Sequence, residues 1–407
     1  MTNAHSVQRE KVRISVVRFL QNSFNQVERG RAFREYCGVR IVQLLPALNE
    51  GGVERGVVEL NREYVKRGVE SFVISRGGKL VSQIERDGGR HYELEIASKN
   101  PLTFPFRAMQ LKRTLRLIQP SIVHARSRIP AWLCVLANRH PRRPFVTTVH
   151  GMNRPNPYSR VMTFGDRVIC VSEVVAAYIQ EHYKTPSEKI TVIQRGVDLQ
   201  LFDPATVDRA FIEEFRNKFG LHGRKVVLSV GRVTWVRDYE SFIDAIAAVR
   251  KTRPEVIGVI VGGAWARKAS YLEELKERAA KLGLKENFVF AGSQSKMPEL
   301  YSLADVVVNA TLKMGNVGRT VTEALAMNTP VLATTEKGLN NLVRDGVNGF
   351  IIKNRDPADL AEKLLRALDL PRSAVRSSIP REFTLECMVE QNLALYRELL
   401  ASRGGGN

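Results

Sequence analysis

VRIVQLLPALNEGGVERG, residues 39–56, decides the fold. Five aliphatic residues, broken only by Arg40 and Gln43, make up 39–45, and the run stops at Pro46. Gly51 and Gly52 then open a segment of helical composition. A strand that ends in a glycine turn and passes into a helix is the start of a parallel βαβ unit. Glycine there lets backbone N–H groups approach a ligand closely, and a helix start favours anions. Gly51 and Gly52 are therefore candidates for a phosphate or sugar-phosphate contact, against the plain alternative of a tight turn.

The same rhythm repeats outward from this stretch. SFVISR (71–76), SIVHAR (121–126), FVTTVHG (145–151), RVICVS (167–172) and ITVIQRG (190–196) complete a first set of strand-like runs. KVVLSVG (225–231), VIGVIVGG (256–263), NFVFAG (287–292), DVVVNAT (305–311), PVLATT (330–335) and GFII (349–352) form a second. Short β-branched runs separated by helical stretches predict parallel sheets with crossover helices. Two sets, split near LFDPATVD (201–208), predict two doubly wound α/β domains. The expected division is an extension over 1–38, a first domain over 39–205, a second over 206–383, an amphipathic last helix over 384–402 and a disordered Gly-rich tail over 403–407.

At 407 residues and 44% hydrophobic content the chain suits two globular domains. The formal net charge of +20 favours polyanions such as nucleic acid, anionic headgroups or phosphorylated glycans. That charge reads as spread along the chain, and no zinc spacing or RNA-binding aromatic signature accompanies it, so no nucleic-acid partner is expected. Cys37, Cys134, Cys170 and Cys387 show neither metal-ligand spacing nor a disulfide framework, which fits a reducing cytoplasm. No apolar run is long enough to span a bilayer, and Arg13 and Arg18 interrupt any signal-peptide core. VRISVVRFLQNSF (12–24) reads equally as a basic amphipathic helix lying on a membrane or as a frayed extension.

In open parallel sheets ligands bind beyond the C-terminal ends of the strands. The residues there are the candidates for chemistry. His150 follows one strand and can donate to a substrate oxygen or phosphate. Arg126 and Arg128 follow another; their planar forks suit a charged acceptor, or they are solvated surface arginines. In the second domain, Gly231 ends a strand and is followed by Arg232 and Arg237, a cation pair able to stabilise a departing diphosphate. Gly318, Arg319 and Thr320 lie at the start of the helix VTEALAM, with backbone N–H groups suited to phosphate oxygens. Glu323, tilted toward that helix start, is placed to take ribose hydroxyls. Asn328 follows where a left-handed residue is needed.

PALNEGGVERG, VTTVHG, GDRVICVSE, VIQRGVDLQLFDP, GRVT, GRTVTEALAMNTP and DGVNGF occur in the order used by the GT-B glycosyltransferases of family 4. From about residue 39 to 402 the chain resembles that family, with the flavour of lipopolysaccharide-core and other envelope-glycan enzymes. The resemblance implies two Rossmann-like domains facing across a cleft, with the last helix crossing back to the first domain. It implies retaining transfer of a sugar from a nucleotide sugar to a glycolipid or glycan acceptor, in the cytoplasm or on the cytoplasmic face of an anionic inner membrane. It implies no cofactor and no metal, with arginine neutralising the diphosphate. His150, Arg232 and Arg237 fall on catalytic positions. Gly51, Gly52, Gly231, Gly315, Asn316, Gly318, Arg319, Thr320 and Glu323 fall on donor-binding positions.

Several positions depart from the family pattern. Arg237 stands where lysine is usual, which exchanges a compact ammonium for a broad fork. Met314, Val317, Asn328 and Gln194 also differ. The largest departure is Gly315, which replaces the first glutamate of the Glu-x7-Glu motif whose second is Glu323. The lost carboxylate would have made one or two charge-assisted bonds to the sugar, each worth about 1.5–3 kcal/mol. If they tighten in the transition state, transfer slows by on the order of ten- to a thousandfold. Three explanations are open: Asn316 or a water supplies the contact, the donor sugar does not need it, or the chain is an impaired nucleotide-binding or regulatory relative. A sugar-nucleotide epimerase of the same fold is a further alternative. The survival of His150, Arg232, Arg237 and Glu323 favours an active transferase.

Overall fold

A computed structural model describes residues 36, 38–49, 51–264, 269–312, 319–334 and 341–404. The strands are β1 (Arg40–Leu44), β2 (Glu70–Ser75), β3 (Arg90–Glu93), β4 (Ile122–Ala125), β5 (Phe145–Val149), β6 (Arg167–Cys170), β7 (Ile190–Val192), β8 (Lys225–Val230), β9 (Val256–Val261), β10 (Phe288–Gly292), β11 (Val306–Asn309), β12 (Val331–Thr334) and β13 (Gly349–Ile352). They form a seven-stranded sheet of order β3-β2-β1-β4-β5-β6-β7 and a six-stranded sheet of order β10-β9-β8-β11-β12-β13. The pairings are parallel, as in β1 with β2 and β4, and β8 with β9 and β11.

All twelve apolar runs are strands, trimmed by a residue or more at most ends. β3 was not expected. It is an edge strand of sequence RHYE, wholly exposed or half-buried, so it carries no apolar run to read.

The runs were legible because both faces of each sheet are covered. In the second sheet, Val226, Leu228, Val259, Val307, Val331 and Ala333 pack into one core layer. Their neighbours Val227, Ile260, Val306, Val308, Leu332 and Phe350 pack into another, with Tyr239 and Phe242. Side chains alternate across a strand, so burial on both faces demands apolar residues without interruption.

The chain divides into two compact units. The first holds the described residues up to Thr148, together with Pro157–Arg167 and the chain from Tyr396. The second holds Val149–Asn156 and Val168–Leu395. In the first unit Ile41, Val42, Leu44, Val73, Ile74, Ile122, Val123 and Val146 form a fully buried strand core. A buried polar group closes around Tyr396: its hydroxyl lies 2.6 Å from His124 Nδ1 and 3.4 Å from Tyr64 Oη, and His124 Nε2 lies 2.7 Å from Thr148 Oγ1.

In the second unit the segment after β7 is tied down by backbone bonds from Val197 N to Phe383 O (2.8 Å) and from Leu385 N to Val197 O (2.9 Å). Arg376 donates to the carbonyls of Leu199 (2.7 Å), Phe202 and Ala326. Asn328 adopts the left-handed conformation (φ 57°), and its carbonyl and side chain accept from Arg372 and Arg376.

Three boundary expectations need correction. The first domain was expected to run to 205, but the chain from Val168 packs with the second unit, its segment after β7 bonded to Phe383 and Leu385. The last helix is Leu385–Gly404, so 403 and 404 are helical, and Arg403 donates to Asp166 Oδ2 at 3.1 Å. The remaining tail residues lie outside the described residues. Tyr36, placed with the extension, is buried beneath the guanidinium of Arg397 at 5.3 Å. The rest of that extension, VRISVVRFLQNSF included, lies outside the described residues. Among the described residues no helix is long and apolar enough to cross a membrane.

Candidate functional site

Three strand ends of the second unit converge on glycine and arginine. β8 runs into Gly231, whose N–H donates to Val261 O at 2.9 Å, and Gly262 N–H donates to Gly292 O at 2.9 Å. A Cβ on Gly231 would come within 2.9 Å of Arg237 Nε, and one on Gly262 would collide with the Gly231 carbonyl. Only glycine lets these strand ends and the guanidinium lie so close. Arg237 closes a short turn, Trp235–Arg237, held by a bond from Arg237 N to Thr234 O at 2.9 Å. Its Nη1 donates to Asn309 Oδ1 at 2.7 Å, at the end of β11. Tyr239, fully buried, donates its hydroxyl to the Gly231 carbonyl at 2.8 Å. The fork of Arg237 is thus fixed across the ends of β8 and β11. Arg232 is exposed beside it.

The helix Arg319–Ala326 carries the second carboxylate. Glu323 is buried. Its Oε1 accepts from Arg319 Nε at 3.0 Å and its Oε2 from the Tyr301 hydroxyl at 3.0 Å. Burial and the neighbouring Glu323 charge raise the Tyr301 pKa well above the usual phenol value, so Tyr301 stays a donor. Both oxygens of Glu323 therefore already hold a protein partner, and any ligand hydroxyl would use the lone pairs that remain. Thr320 is buried in the first turn. Gly315, Asn316 and Gly318, with Met314 and Val317, lie outside the described residues.

His150 lies just past the end of β5, and Arg195 just past β7. Arg195 Nη2 donates to His150 Nδ1 at 3.0 Å. Both residues belong to the second unit.

The candidates in the first unit sit differently. Gly51 caps the helix Gly52–Lys66, but a Cβ there would meet the carboxylate of Glu54, with Glu54 Cδ at 2.9 Å. A side-chain anion has folded back over the helix start that was expected to receive a phosphate. Arg126 is no surface arginine: it is buried, and its Nη2 donates to Gln43 Oε1 at 2.6 Å. Arg128 opens the helix Arg128–Ala137, lies 5.2 Å above the Tyr158 ring and donates from Nη1 to Ser159 Oγ at 3.4 Å. Among the described residues no group of three or more His, Cys, Asp or Glu gathers in a metal-like cluster.

Sequence reasoning missed Arg195, Tyr301 and Asn309. Asn309 left a readable trace, a polar residue ending an apolar strand. Arg195 left a weaker one, a second basic residue after a strand. Tyr301 left none.

Two Rossmann-like units on parallel sheets, with glycine and arginine at the strand ends, define the GT-B class. A solved glycosyltransferase from Rickettsia africae ESF-5 superposes with a TM-score of 0.79 at 29% identity, covering 89% of this chain and 98% of that one. The Anabaena protein Alr3699/HepE, solved with UDP and glucose, superposes with a TM-score of 0.76 at 21% identity, over 88% and 100% of the two chains, which is a likeness of fold. Residues 50–201 match the family described as Glycosyltransferase Family 4, and residues 211–379 match Glycosyl transferases group 1. The two matches together span most of the chain, which belongs to the group 1, family 4 glycosyltransferases. Among curated relatives, the D-inositol 3-phosphate glycosyltransferase of Salinispora arenicola is 30% identical over 273 residues, 62% of this chain. The chain spans 60% of that relative's length.

Proposed function

We propose that this protein transfers a sugar, with retention at the anomeric carbon, from a nucleotide-sugar donor to a lipid-linked or lipopolysaccharide-core glycan acceptor. The reading places it in the cytoplasm, working at the cytoplasmic face of an anionic membrane. The observation that carries it is the guanidinium of Arg237, held by Asn309 over the glycine at the end of β8. A fixed fork beside a glycine strand end meets the charge that grows on a departing diphosphate without reorganising, and it does so with no metal in the step. Arg232 adds a second cation beside it. His150, with its Nδ1 engaged by Arg195, offers its other ring nitrogen as a donor to a sugar oxygen. Likeness to a D-inositol 3-phosphate glycosyltransferase and to a UDP- and glucose-bound neighbour supports a nucleotide-sugar donor.

A thermal-shift comparison tests this. UDP-, GDP- and ADP-linked sugars are each set beside the bare nucleoside diphosphate, with wild type and Gly315→Glu in parallel. Ligand that binds only the folded state raises the Tm by mass action. One sugar nucleotide should stabilise wild type beyond its bare nucleotide, and that donor should then support transfer. If bare nucleotides and their sugars act alike on wild type, and Gly315→Glu restores a difference, the sugar subsite is degraded and the transferase reading fails.

A further inference from the structure

The positive charge is not evenly spread, as the sequence reading had it. Residues 96–165, between Glu95 and Asp166, contain no Asp or Glu and twelve Lys or Arg. Within this stretch of the first unit lies an unusual surface. Leu102 is 88% exposed, Phe106 56% and Leu117 72%, with Met109 also exposed. Phe106, Met109 and Leu117 share the helix Phe104–Ile118, and Arg113 and Arg116 are exposed on it among them. Apolar and basic side chains therefore alternate along one outward face.

That face is built, not frayed. Arg107 is buried, and its guanidinium donates to Ser98 O (2.8 Å), Asn100 O (2.8 Å) and Thr103 Oγ1 (3.1 Å). Asn100 Oδ1 accepts from Leu102 N at 2.9 Å. A buried cation thus fixes the loop that holds Leu102 out in solvent. Beside it opens a cavity of about 330 Å³ lined by Ser98, Lys99, Phe104, Ile129, Trp132 and Tyr158. Trp132 donates to Tyr158 O at 3.0 Å and stacks edge-on against Phe164, itself exposed.

We propose that the 98–103 loop, the outer face of the helix Phe104–Ile118 and the aromatic cavity form a docking face for an anionic lipid bilayer. Charge decides the lipid: Lys99, Arg113 and Arg116 outweigh the Glu95 carboxylate, which accepts from Ala97 N and Ser98 N (2.8 Å each) at the start of the loop, so the face attracts anionic headgroups. The apolar residues decide between partners. A nucleic acid would use the cations and leave Leu102, Phe106, Met109 and Leu117 in water. A bilayer takes both, with leucine and phenylalanine in the acyl boundary, tryptophan and tyrosine at the interface and arginine at the headgroups. The proposed lipid-linked acceptor would be met at such a surface, and in that respect the docking face rests on the transferase reading.

Flotation of the full chain with vesicles tests it, without any sugar donor, so the result is independent of transfer. Vesicles of phosphatidylcholine alone are compared with vesicles that also contain phosphatidylglycerol. Wild type should float with the anionic vesicles and hardly with the neutral ones. Leu102→Ser with Phe106→Ser, and separately Arg113→Glu with Arg116→Glu, should each weaken binding about tenfold or more. All four side chains are exposed, so the variants should melt with wild type. No preference for anionic vesicles, or preference unchanged in both variants, overturns the proposal. So does binding of single-stranded RNA that responds to the arginine variant while vesicles do not bind.

Discussion

Arg195 donates to Nδ1 of His150 at 3.0 Å. A guanidinium has donors only, so Nδ1 is the acceptor and the neutral ring carries its proton on Nε2. An arginine outside the expected catalytic set thereby chooses which face of His150 can donate. Arg195→Met should release that choice and slow sugar transfer about tenfold, the scale of one lost positioning bond. Nitrogen-15 spectra of the ring should show mixed tautomers in the variant and the Nε2–H form in wild type. Unchanged spectra in the variant would remove Arg195 from the site.

Gly231 and Asn309 hold Arg237 from two sides, one by leaving space and one by a 2.7 Å bond. Asn309→Ala keeps the strand and frees the fork. The stabilisation by nucleoside diphosphate should then shrink, while the ligand-free Tm moves little. Gly231→Ala should do more, because its methyl takes the space of the guanidinium. If either variant keeps the full ligand-induced shift, Arg237 does not touch the diphosphate.

The strands were readable from the chain because burial on both faces leaves an uninterrupted apolar run, as in β9. The edge strand β3 was not, since RHYE packs weakly and half exposed. At the site the glycines and arginines were readable because strand ends are where an α/β sheet places ligands. Their partners were not. His150 and Arg195 are 45 residues apart, Arg237 and Asn309 72, and Tyr301 and Glu323 22. Such pairs are made by packing, and no local pattern announces them. The same holds for Arg126, which read equally as an acceptor contact or a surface arginine and is buried against Gln43. The acid-free stretch over 96–165 was legible and was averaged away in the net charge.

Tyr301 supplies the buried hydroxyl that Glu323 Oε2 accepts. Tyr301→Phe keeps the ring and removes the donor, leaving a buried carboxylate short of one bond. The expected loss is about 1.5–3 kcal/mol, read as a lower denaturant midpoint at constant slope. Glu323→Gln should cost less in the Tyr301→Phe background than in wild type, because the two residues act as one unit. Additive effects would show that the bond does not hold the helix Arg319–Ala326 in place.

Glu63 gives the fold a pH dependence of known sign. Burial alone would raise its pKa, but hydrogen bonds from Lys66, Arg67 and Arg62 outweigh that and lower it to about 2, from an ordinary 4.5. The three bonds are 2.9, 2.7 and 3.0 Å long. A folded-state pKa below the unfolded one adds stability that is fully present above pH 4.5 and is lost as pH falls toward 2. Glu63→Gln should therefore lower the Tm at neutral pH, and the gap to wild type should close through that window. The residue is partly exposed and screened by solvent, so the gap should be modest and should shrink with added salt. A gap that stays constant from pH 7 to well below 4.5 would show that the loss comes from side-chain packing and not from the carboxylate charge.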